Sequence, residues 1–349
     1  EAFGHVKFDV VVGNPPYQDS TLGDNTTFAP PIYHLFMELS YAVADKVALI
    51  TPGRFLFNAG GTPKNWNRKM LDDKHLSVLH FEIDSSKVFP NTDIKGGVVV
   101  TYRDLTRCFD PIDTFTTFEE LNSILHKVIA RREPTLDTII SGRGVYKLSQ
   151  KALDDYPSIE QIQSKGHKFD IGSSAFKILK DIVFFEEKPN DGREYVEFLG
   201  LLNLKRVYFW IDKSHINPPQ SFHKYKVIIP QANGSGALGE AISTPLIGKP
   251  LIGATETFLS IGSFDTYLEA EAALKYVKTK FSRALLGILK ITQANTREKW
   301  MKVPLQDFTT NSDIDWSQSV ADIDQQLYKK YGLSESEIAF IEEKVQAME

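Results

Sequence analysis

The chain has 349 residues, of which 42% are hydrophobic and 24% charged, which is typical of a globular protein with room for two domains. No apolar run reaches membrane-spanning length, and the first residues carry no signal-peptide pattern. A formal net charge of −5 argues against a uniformly basic nucleic-acid binder, so contact with DNA would require locally concentrated positive charge. The single cysteine, Cys108, excludes an intramolecular disulfide, is typical of a reducing cytoplasm and is expected to be buried.

The first predicted element is a strand that ends in a proline-rich turn. Residues 8–12 are mostly β-branched, which is typical of a buried strand, and Gly13 ends the run. Asn14 and Pro15 each precede a proline and are therefore held in extended conformations. The turn presents an amide side chain, a backbone carbonyl and the Tyr17 ring at the carboxyl end of a strand, where ligands bind in open α/β sheets.

These groups match what methylation of an exocyclic amine requires. The amino nitrogen of adenine is a weak nucleophile because its lone pair is delocalised into the ring. The Asn14 side-chain oxygen and the Pro15 carbonyl are suited to accept its two hydrogens and draw it out of conjugation. Tyr17 is suited to stack on a base that has been swung out of the duplex.

The tetrapeptide Asn14-Pro15-Pro16-Tyr17 after a hydrophobic strand resembles the catalytic motif of S-adenosylmethionine-dependent amino-methyltransferases. The closest resemblance is to the γ-class-like N6-adenine DNA enzymes of type II and IIG restriction–modification systems. It implies that these four residues are catalytic and that S-adenosylmethionine is the cofactor. A second Asn-Pro-Pro, residues 217–219, has no preceding apolar strand and no following aromatic, so it is interpreted as an ordinary turn.

The resemblance also implies a glycine-rich cofactor-binding strand before the motif, and no such unit precedes it. The chain is therefore expected to be the carboxyl-terminal part of a larger enzyme. The upstream part would carry the main cofactor site, with or without a nuclease domain. The glycine-rich segment 234–239 is a weak pattern and is interpreted as a flexible loop.

The segments after the motif predict an alternation of helices and strands. Residues 18–31 are polar and turn-rich, and form either a solvated linker or a loop that closes over the flipped base. The elements that follow are a helix at 32–44, a strand at 47–52, a helix from 54 to 71, and strands at 76–83 and 97–102. This order resembles the second half of a Rossmann-like methyltransferase sheet.

Phe89 lies in the turn before the last of these strands. In related adenine enzymes this position carries a second aromatic on the extruded base, so Phe89 is the second base-stacking candidate. A core phenylalanine is the alternative. His34, His75 and His80 are too scattered in the sequence to predict a metal site, and the reaction needs no metal.

The sequence pattern changes near residue 110 to short strands and loops, followed by a helix at 268–289. This region resembles the α+β target-recognition domain of restriction–modification enzymes. The predicted division is a carboxyl-terminal part of the catalytic domain at 1–109, a target-recognition domain at 110–310 and a helical tail at 311–349. The second tail helix is expected to begin at Ser334, with Glu337 in capping-box spacing.

Positive charge is concentrated between residues 275 and 302. A solvated helix face would give a similar count, but we predict a phosphate-contacting surface. Its candidate residues are Lys275, Lys278, Lys280, Arg283, Arg297 and Lys299. Base reading would fall to loop side chains, of which the candidates are Arg143, Arg193, Arg206, Gln231, Asn233, Gln293 and Asn295.

Three functions remain compatible with the sequence. The first is methylation of the N6 amine of adenine in a specific duplex DNA sequence, within a cytoplasmic bacterial restriction–modification enzyme, with this part alone inactive. The second is a DNA-specificity module that does not bind the cofactor on its own. The third is methylation of another amine or amide, in RNA or on protein glutamine. The large, locally basic second half favours duplex DNA.

Overall fold

The computed structural model describes residues 8–19, 29–58, 61–94 and 96–348. Most of the predicted polar loop, residues 20–28, lies outside the described residues. The chain divides into two compact units, 1–122 and 123–349. The division lies in a helix, beyond the change of sequence pattern near residue 110.

The first unit is built on a four-stranded mixed sheet. Its elements are β1 (Phe8–Gly13), α1 (Tyr33–Val43), β2 (Ala44–Pro52), α2 (Lys64–Leu71), β3 (Leu76–Glu82) and β4 (Val98–Asp104). The strand order is β1-β2-β4-β3, with β1 parallel to β2 and with β4 antiparallel to both of its neighbours. The predicted α/β class and the closing β3–β4 hairpin are confirmed.

The core of this unit lies between the sheet and the helices. Met37 of α1, Leu49 of β2 and Phe55 are at most 3% exposed, and the Phe55 and Trp66 ring centroids lie 5.4 Å apart. By contrast, Phe8, Val10 and Val12 of β1 are 49%, 51% and 75% exposed. The expectation that this strand is buried is therefore wrong for the described residues, because β1 is an edge strand that pairs with β2 alone.

The second unit contains three small sheets and several helices. Its strands are β5 (Lys147–Leu148), β6 (Tyr195–Leu202), β7 (Lys205–Asp212), β8 (Ile216–Asn217), β9 (Tyr225–Pro230), β10 (Leu246–Gly248), β11 (Ile252–Ala254) and β12 (Phe258–Phe264). They form sheets in the orders β10-β9-β12, β11-β6-β7 and β5-β8. Its helices, beginning with the one at the division, are α3 (Glu119–Ala130), α4 (Gln150–Asp155), α5 (Ile159–Ile162), α6 (Ala175–Ile178), α7 (Tyr267–Lys278), α8 (Lys280–Leu289), α9 (Val320–Tyr331) and α10 (Glu335–Lys344).

Two local predictions in this unit have different outcomes. The helix predicted at 268–289 is two helices, because Thr279 adopts an extended backbone and its side chain accepts a hydrogen bond from the Ser282 amide as an N-cap. The capping box at the start of α10 is confirmed, since the Ser334 amide donates to Glu337 at 2.6 Å and the Glu337 amide donates to the Ser334 hydroxyl at 3.3 Å.

Two further observations concern the chain as described. Cys108 is exposed, contrary to the expectation of a buried thiol. Within the described ranges, no helix combines the length and the apolar character that a bilayer crossing requires.

Candidate functional site

The Asn14–Tyr17 motif leaves the carboxyl end of β1 and is fixed against the start of α1. The Tyr17 carbonyl accepts a hydrogen bond from the Ile32 amide at 3.1 Å, and the Asp19 amide donates to the Pro30 carbonyl at 3.0 Å. These short antiparallel contacts join the motif to the residues just before the helix. Asn14 is exposed, so its amide is accessible to a ligand.

The Tyr17 side chain is half-buried and packs against the apolar core of the first unit. Burial raises the pKa of its hydroxyl, and the nearby Asn14 side chain offsets part of that rise. Among the described residues, no hydrogen-bond partner lies within ideal geometry of this hydroxyl, although the Asn14 side chain is close enough to affect its pKa. Tyr17 is therefore neutral at physiological pH and presents an aromatic surface beside an accessible amide.

A cavity of about 140 Å³ lies next to Tyr17. Its lining residues are Tyr17, Gln18, Ala29, Pro31, Tyr33, Pro52, Arg54, Gly61, Asp93 and Ile94. A cavity of roughly 150 Å³ accommodates benzene, so this volume suits a flat ring of about that size. It is smaller than the clefts of about 300–1,000 Å³ that hold drug-sized ligands and cofactors.

Arg54 reaches the cavity wall from the end of β2. Because β1 and β2 are parallel, their carboxyl ends lie side by side. The backbone of Gly53 is held by a 2.9 Å hydrogen bond from its amide to the Gly97 carbonyl. A Cβ atom at Gly53 would lie 2.9 Å from the Gly96 carbonyl, and one at Gly96 would lie 2.6 Å from Arg54 Cγ. Glycine at both positions permits the close packing that positions Arg54.

The buried Tyr33 side chain forms another part of the wall. Burial raises its pKa to about 12, and a hydrogen bond with Thr62 and the charge of Arg54 partly offset that effect. The Thr62 hydroxyl donates to Asn67 Oδ1 at 2.7 Å, and Asn67 Nδ2 donates to Asn58 Oδ1 at 3.2 Å. This chain of polar groups holds a neutral tyrosine in place behind the cavity.

The structure places the other sequence-predicted residues of this region as follows. Asn14, Pro15 and Pro16 lie immediately before Tyr17 at the strand end, and Tyr17 is the motif residue that lines the cavity. Phe89 is half-buried, and its amide donates to the Ser85 carbonyl at 2.8 Å. From the same connection between β3 and β4, Asp93 and Ile94 line the cavity, and Phe89 is not among the lining residues.

Sequence reasoning missed Tyr33, Arg54, Asp93 and Ile94 as cavity residues. The segment Pro52-Gly53-Arg54 did carry a signal, because the carboxyl end of the neighbouring parallel strand faces the same edge of the sheet. Asp93 and Ile94 carried none, since their position depends on how the turn after β3 folds back.

In the second unit, several of the predicted phosphate-contacting side chains are bonded internally. The Lys275 ammonium donates to the carbonyls of residues 316–318 at 2.8 to 3.3 Å, and Lys280 forms an ion pair with Glu342 at 2.5 Å. Lys278 also has a partner within the chain. Arg297 is exposed and Lys299 is half-buried, so these two remain the more accessible of the six.

Arg283 is 1% exposed and does not form part of a phosphate-contacting surface in this structure, contrary to the prediction. Its guanidinium donates to backbone carbonyls, at 3.1 Å to Lys278, at 3.2 Å to Gly239, at 3.4 Å to Glu240 and also to Gln346. A buried guanidinium satisfied in this way ties the segments around 239 and 346 to helix α8.

The candidate base-reading residues also differ in accessibility. Arg143 pairs with Glu256 at 3.1 Å, and Arg193 pairs with Asp191 and Asp212. Asn233 and Asn295 are 8% and 0% exposed, whereas Gln293 is exposed. Burial therefore removes the two asparagines from direct readout in this structure.

The glycine-rich segment 234–239 is closed around an internal carboxylate. Glu240 accepts hydrogen bonds from the amides of Ser235 and Gly236 at 2.7 and 3.0 Å and pairs with the buried Lys290 ammonium. Backbone amides that could bind a phosphate are thus occupied by the chain itself. Among the described residues, no three His, Cys, Asp or Glu side chains come together as a candidate metal site.

Comparison with known proteins gives a match for the region that contains the Asn14–Tyr17 motif and most of the residues that line the cavity. Residues 1–89 match the model of the family described as "Eco57I restriction-modification methylase". A protein from Mycoplasma pneumoniae described as "Uncharacterized adenine-specific methylase" is 34% identical over 98 residues, which cover 28% of this chain and 23% of that protein. The resemblance to restriction–modification methylases that the Asn14–Tyr17 motif predicts is confirmed for this region.

Two solved structures are similar over longer stretches at low identity. The type IIG restriction endonuclease BpuSI has a TM-score of 0.32 and 12% identity, covering 99% of this chain and 55% of that one. The type IIL restriction-modification enzyme MmeI, solved in complex with DNA, has a TM-score of 0.31 and 8% identity, covering 96% and 56%. The chain spans about a quarter of the curated relative and about half of these two enzymes.

Proposed function

We propose, from the match of residues 1–89 to the Eco57I restriction-modification methylase family, that this chain takes part in methylating the N6 amine of adenine in duplex DNA. The observation that carries the proposal is the accessible Asn14–Tyr17 turn at the end of β1, beside a cavity of about 140 Å³. The Mycoplasma pneumoniae relative is described as an adenine-specific methylase, which supports adenine as the substrate base.

In the proposed reaction the chain holds an everted adenine and polarises its amine. Tyr17 provides a neutral aromatic face for the base. The Asn14 side-chain oxygen and the Pro15 carbonyl accept the two amine hydrogens, so the nitrogen lone pair is directed away from the ring. Eversion from the duplex is required because the amine is inaccessible inside stacked DNA.

S-adenosylmethionine would supply the methyl group as a sulfonium, but the described residues do not fit the whole cofactor. The cavity of about 140 Å³ is smaller than the clefts that hold cofactors, and the backbone amides of Ser235 and Gly236 in the glycine-rich segment 234–239 are taken up by Glu240. The main cofactor site is therefore assigned to an upstream part of the same enzyme, with or without a nuclease domain. We expect the chain alone to be inactive in methyl transfer.

The exposed side of β1 supports the existence of such a partner segment. Phe8, Val10 and Val12 alternate along the strand and are about half to three-quarters exposed. Strands of the parallel part of an α/β sheet are normally covered on both faces, and β1 pairs in parallel with β2, so its exposed apolar row is a candidate interaction surface. The proposed setting is the bacterial cytoplasm, where chromosomal DNA lies.

The test is methyl transfer by the full-length protein carrying Asn14→Ala, with Asn217→Ala as the matched control. Asn217 begins the second Asn-Pro-Pro and is exposed, so its replacement controls for losing one surface amide. Transfer of labelled methyl groups to DNA should fall about 10²–10³-fold in Asn14→Ala with DNA binding retained, and should be unchanged in Asn217→Ala. Retained transfer in Asn14→Ala, or label appearing only in RNA or protein glutamine, contradicts the proposal.

A further inference from the structure

The hairpin between β6 and β7 ends in an unusual turn. The two strands pair from Tyr195 with Asp212 to Leu202 with Lys205, which leaves Asn203 and Leu204 as a two-residue connection. Both have positive φ angles, 51° and 64°. Turns of this kind favour Asn first and Gly second, because a side chain in the left-handed region crowds its own backbone.

Leucine is unfavourable at position 204 in both its backbone conformation and its exposure to solvent. A leucine in the left-handed region is strained, and its side chain is 94% exposed, so burial of apolar surface does not offset the strain. Strained backbone positions cluster at functional sites, so a strained leucine that is almost fully exposed points to a contact outside the fold.

The hairpin below the turn is anchored firmly. Strand β11 pairs with β6 at Glu197–Leu199, and Phe198 and Phe209 are buried in the core of the second unit. The Phe209 ring stacks on Phe176 with 4.5 Å between centroids. The ribbon beyond Leu199 extends past its β11 neighbour, so its tip has a fixed position and an open environment.

The charge at the tip is positive in a chain that is acidic overall. Residues 198–209 contain Lys205 and Arg206 and no acidic residue. Lys205 is exposed and forms no ion pair with any residue that the structure describes. The Arg206 guanidinium donates to the carbonyls of Ser243, at 2.7 Å, and Thr244, and lies 5.3 Å from the centroid of the Phe258 ring, so it adds positive charge behind the tip but is fixed by the chain itself.

We propose that the tip, residues 203–205, inserts into duplex DNA, with Leu204 as an apolar wedge against the bases and with Lys205 toward the phosphates. A two-stranded β-ribbon fits a DNA groove, and leucine is among the residues that act as wedges between base steps. An exposed lysine next to an exposed apolar side chain matches DNA, which presents charged phosphates outside and apolar base faces inside. This proposal rests on the proposed function, since it assumes that the chain binds DNA.

The first experiment replaces Leu204 with the photo-crosslinking residue p-benzoylphenylalanine in the full chain. The control places the same residue at Leu268, which is 67% exposed at the start of α7. Both proteins are irradiated with a pool of random-sequence duplex DNA, which contains every short recognition site. Crosslinks to DNA at position 204 and none at 268 are expected. Crosslinks at 204 only to a second copy of the chain would overturn the proposal.

The second experiment uses Leu204→Gly, which distinguishes an effect on DNA binding from an effect on stability. Glycine relieves the backbone strain, so the melting temperature should rise, while affinity for the duplex pool should fall about tenfold. Leu268→Ala should leave affinity unchanged. Unchanged affinity in Leu204→Gly would overturn the wedge and leave the proposed function standing. If the unaltered chain failed to bind the pool at any salt concentration, the proposed insertion of residues 203–205 into DNA would be contradicted. The proposed function would still be tested separately, by methyl transfer in the full-length protein.

Discussion

The two compact units differ in which side chains they leave in unexpected environments. In the first unit, three alternating apolar side chains of one strand, Phe8, Val10 and Val12 of β1, are 49% to 75% exposed, whereas the exposed apolar side chains of the second unit include ones at turns, such as Leu204. In the second unit, cationic side chains are buried, with Lys226, Arg283 and Lys290 at 3% or less. A row of exposed apolar side chains along one strand favours an interaction surface, whereas buried cations are stabilised by oxygen atoms within the fold. The first pattern therefore supports the proposed interface at β1, and the second contributes to the stability of the unit itself.

Each of the three buried cations is satisfied by oxygen atoms of its own unit. Arg283 donates to carbonyls, and Lys226 donates to the carbonyls of residues 221, 224 and 249 at 3.1 to 3.4 Å. Lys290 pairs with Glu240 and donates to the Asn233 carbonyl at 3.0 Å. Some of the positive charges between residues 275 and 302 are therefore used for bonds inside the chain. Their number in the sequence overstates how many side chains are available to contact phosphate.

The largest expected effect that tests this difference is on the stability of Arg283→Ala. Removing the guanidinium leaves buried carbonyls without donors and opens a cavity, so the free energy of unfolding should fall by about 3–4 kcal/mol. Arg283→Met keeps most of the volume and should lose less. Urea unfolding of both variants measures the effect.

The control for this prediction is Arg297→Ala, which removes an exposed cation from the same basic interval. Its free energy of unfolding should change by less than about 0.5 kcal/mol, while affinity for DNA should fall modestly. If Arg283→Ala instead kept its stability and lost DNA binding, the distinction between buried and exposed cations would fail.

A somewhat smaller change in the free energy of unfolding is expected when the pH is raised, because Lys226 is buried. Burial lowers the pKa of its ammonium to about 8 from the ordinary value of 10.5. Below pH 8 the lysine is protonated in both states and the folded state carries the full desolvation penalty. Between pH 8 and 10.5 the unfolded state holds more protons, so the free energy of unfolding rises with pH, by at most about 3 kcal/mol.

The check is to compare the pH profile of unfolding for the unaltered chain with that of Lys226→Met. The variant lacks the titrating group and should lose this rise, while other groups contribute equally to both profiles. Identical profiles would mean that Lys226 stays protonated through water or movement of its neighbours.

Much of the first unit could be predicted from sequence because its elements are local. Periodicity located β1 to β4 within a few residues, and the proline turn at Asn14 followed from the restrictions that each proline imposes on its neighbours. The burial of β1 could not be predicted, because a β-branched run reads the same at an edge as in the middle of a sheet. The break at Thr279 was missed because threonine is tolerated inside helices and also serves as an N-cap.

The cavity was only partly predictable, for a different reason. Tyr17 comes from the motif itself, whereas Arg54 and Ile94 come from separate connections that meet only once the sheet has formed. The two Asn-Pro-Pro tripeptides illustrate the point. The one at Asn14 follows a six-residue strand, and the one at Asn217 ends a two-residue strand and leads into the 3₁₀ helix Gln220–His223. The same tripeptide is therefore a candidate catalytic turn after β1 and an ordinary connection after β8.

The smallest effect on stability is expected from Val12→Lys. This variant tests whether the exposed apolar side chains of β1 form an interface in the full-length protein. Val12 is 75% exposed on β1, so in this chain the change should alter the free energy of unfolding by less than about 0.5 kcal/mol. In the full-length protein the same lysine would be forced into an interface, and methyl transfer and cofactor binding should both be lost. The matched control is Leu79→Lys on β3, the other edge strand, where leucine is 59% exposed. That variant should retain stability and methyl transfer, so equal loss in both would trace the defect to added charge rather than to an interface at β1.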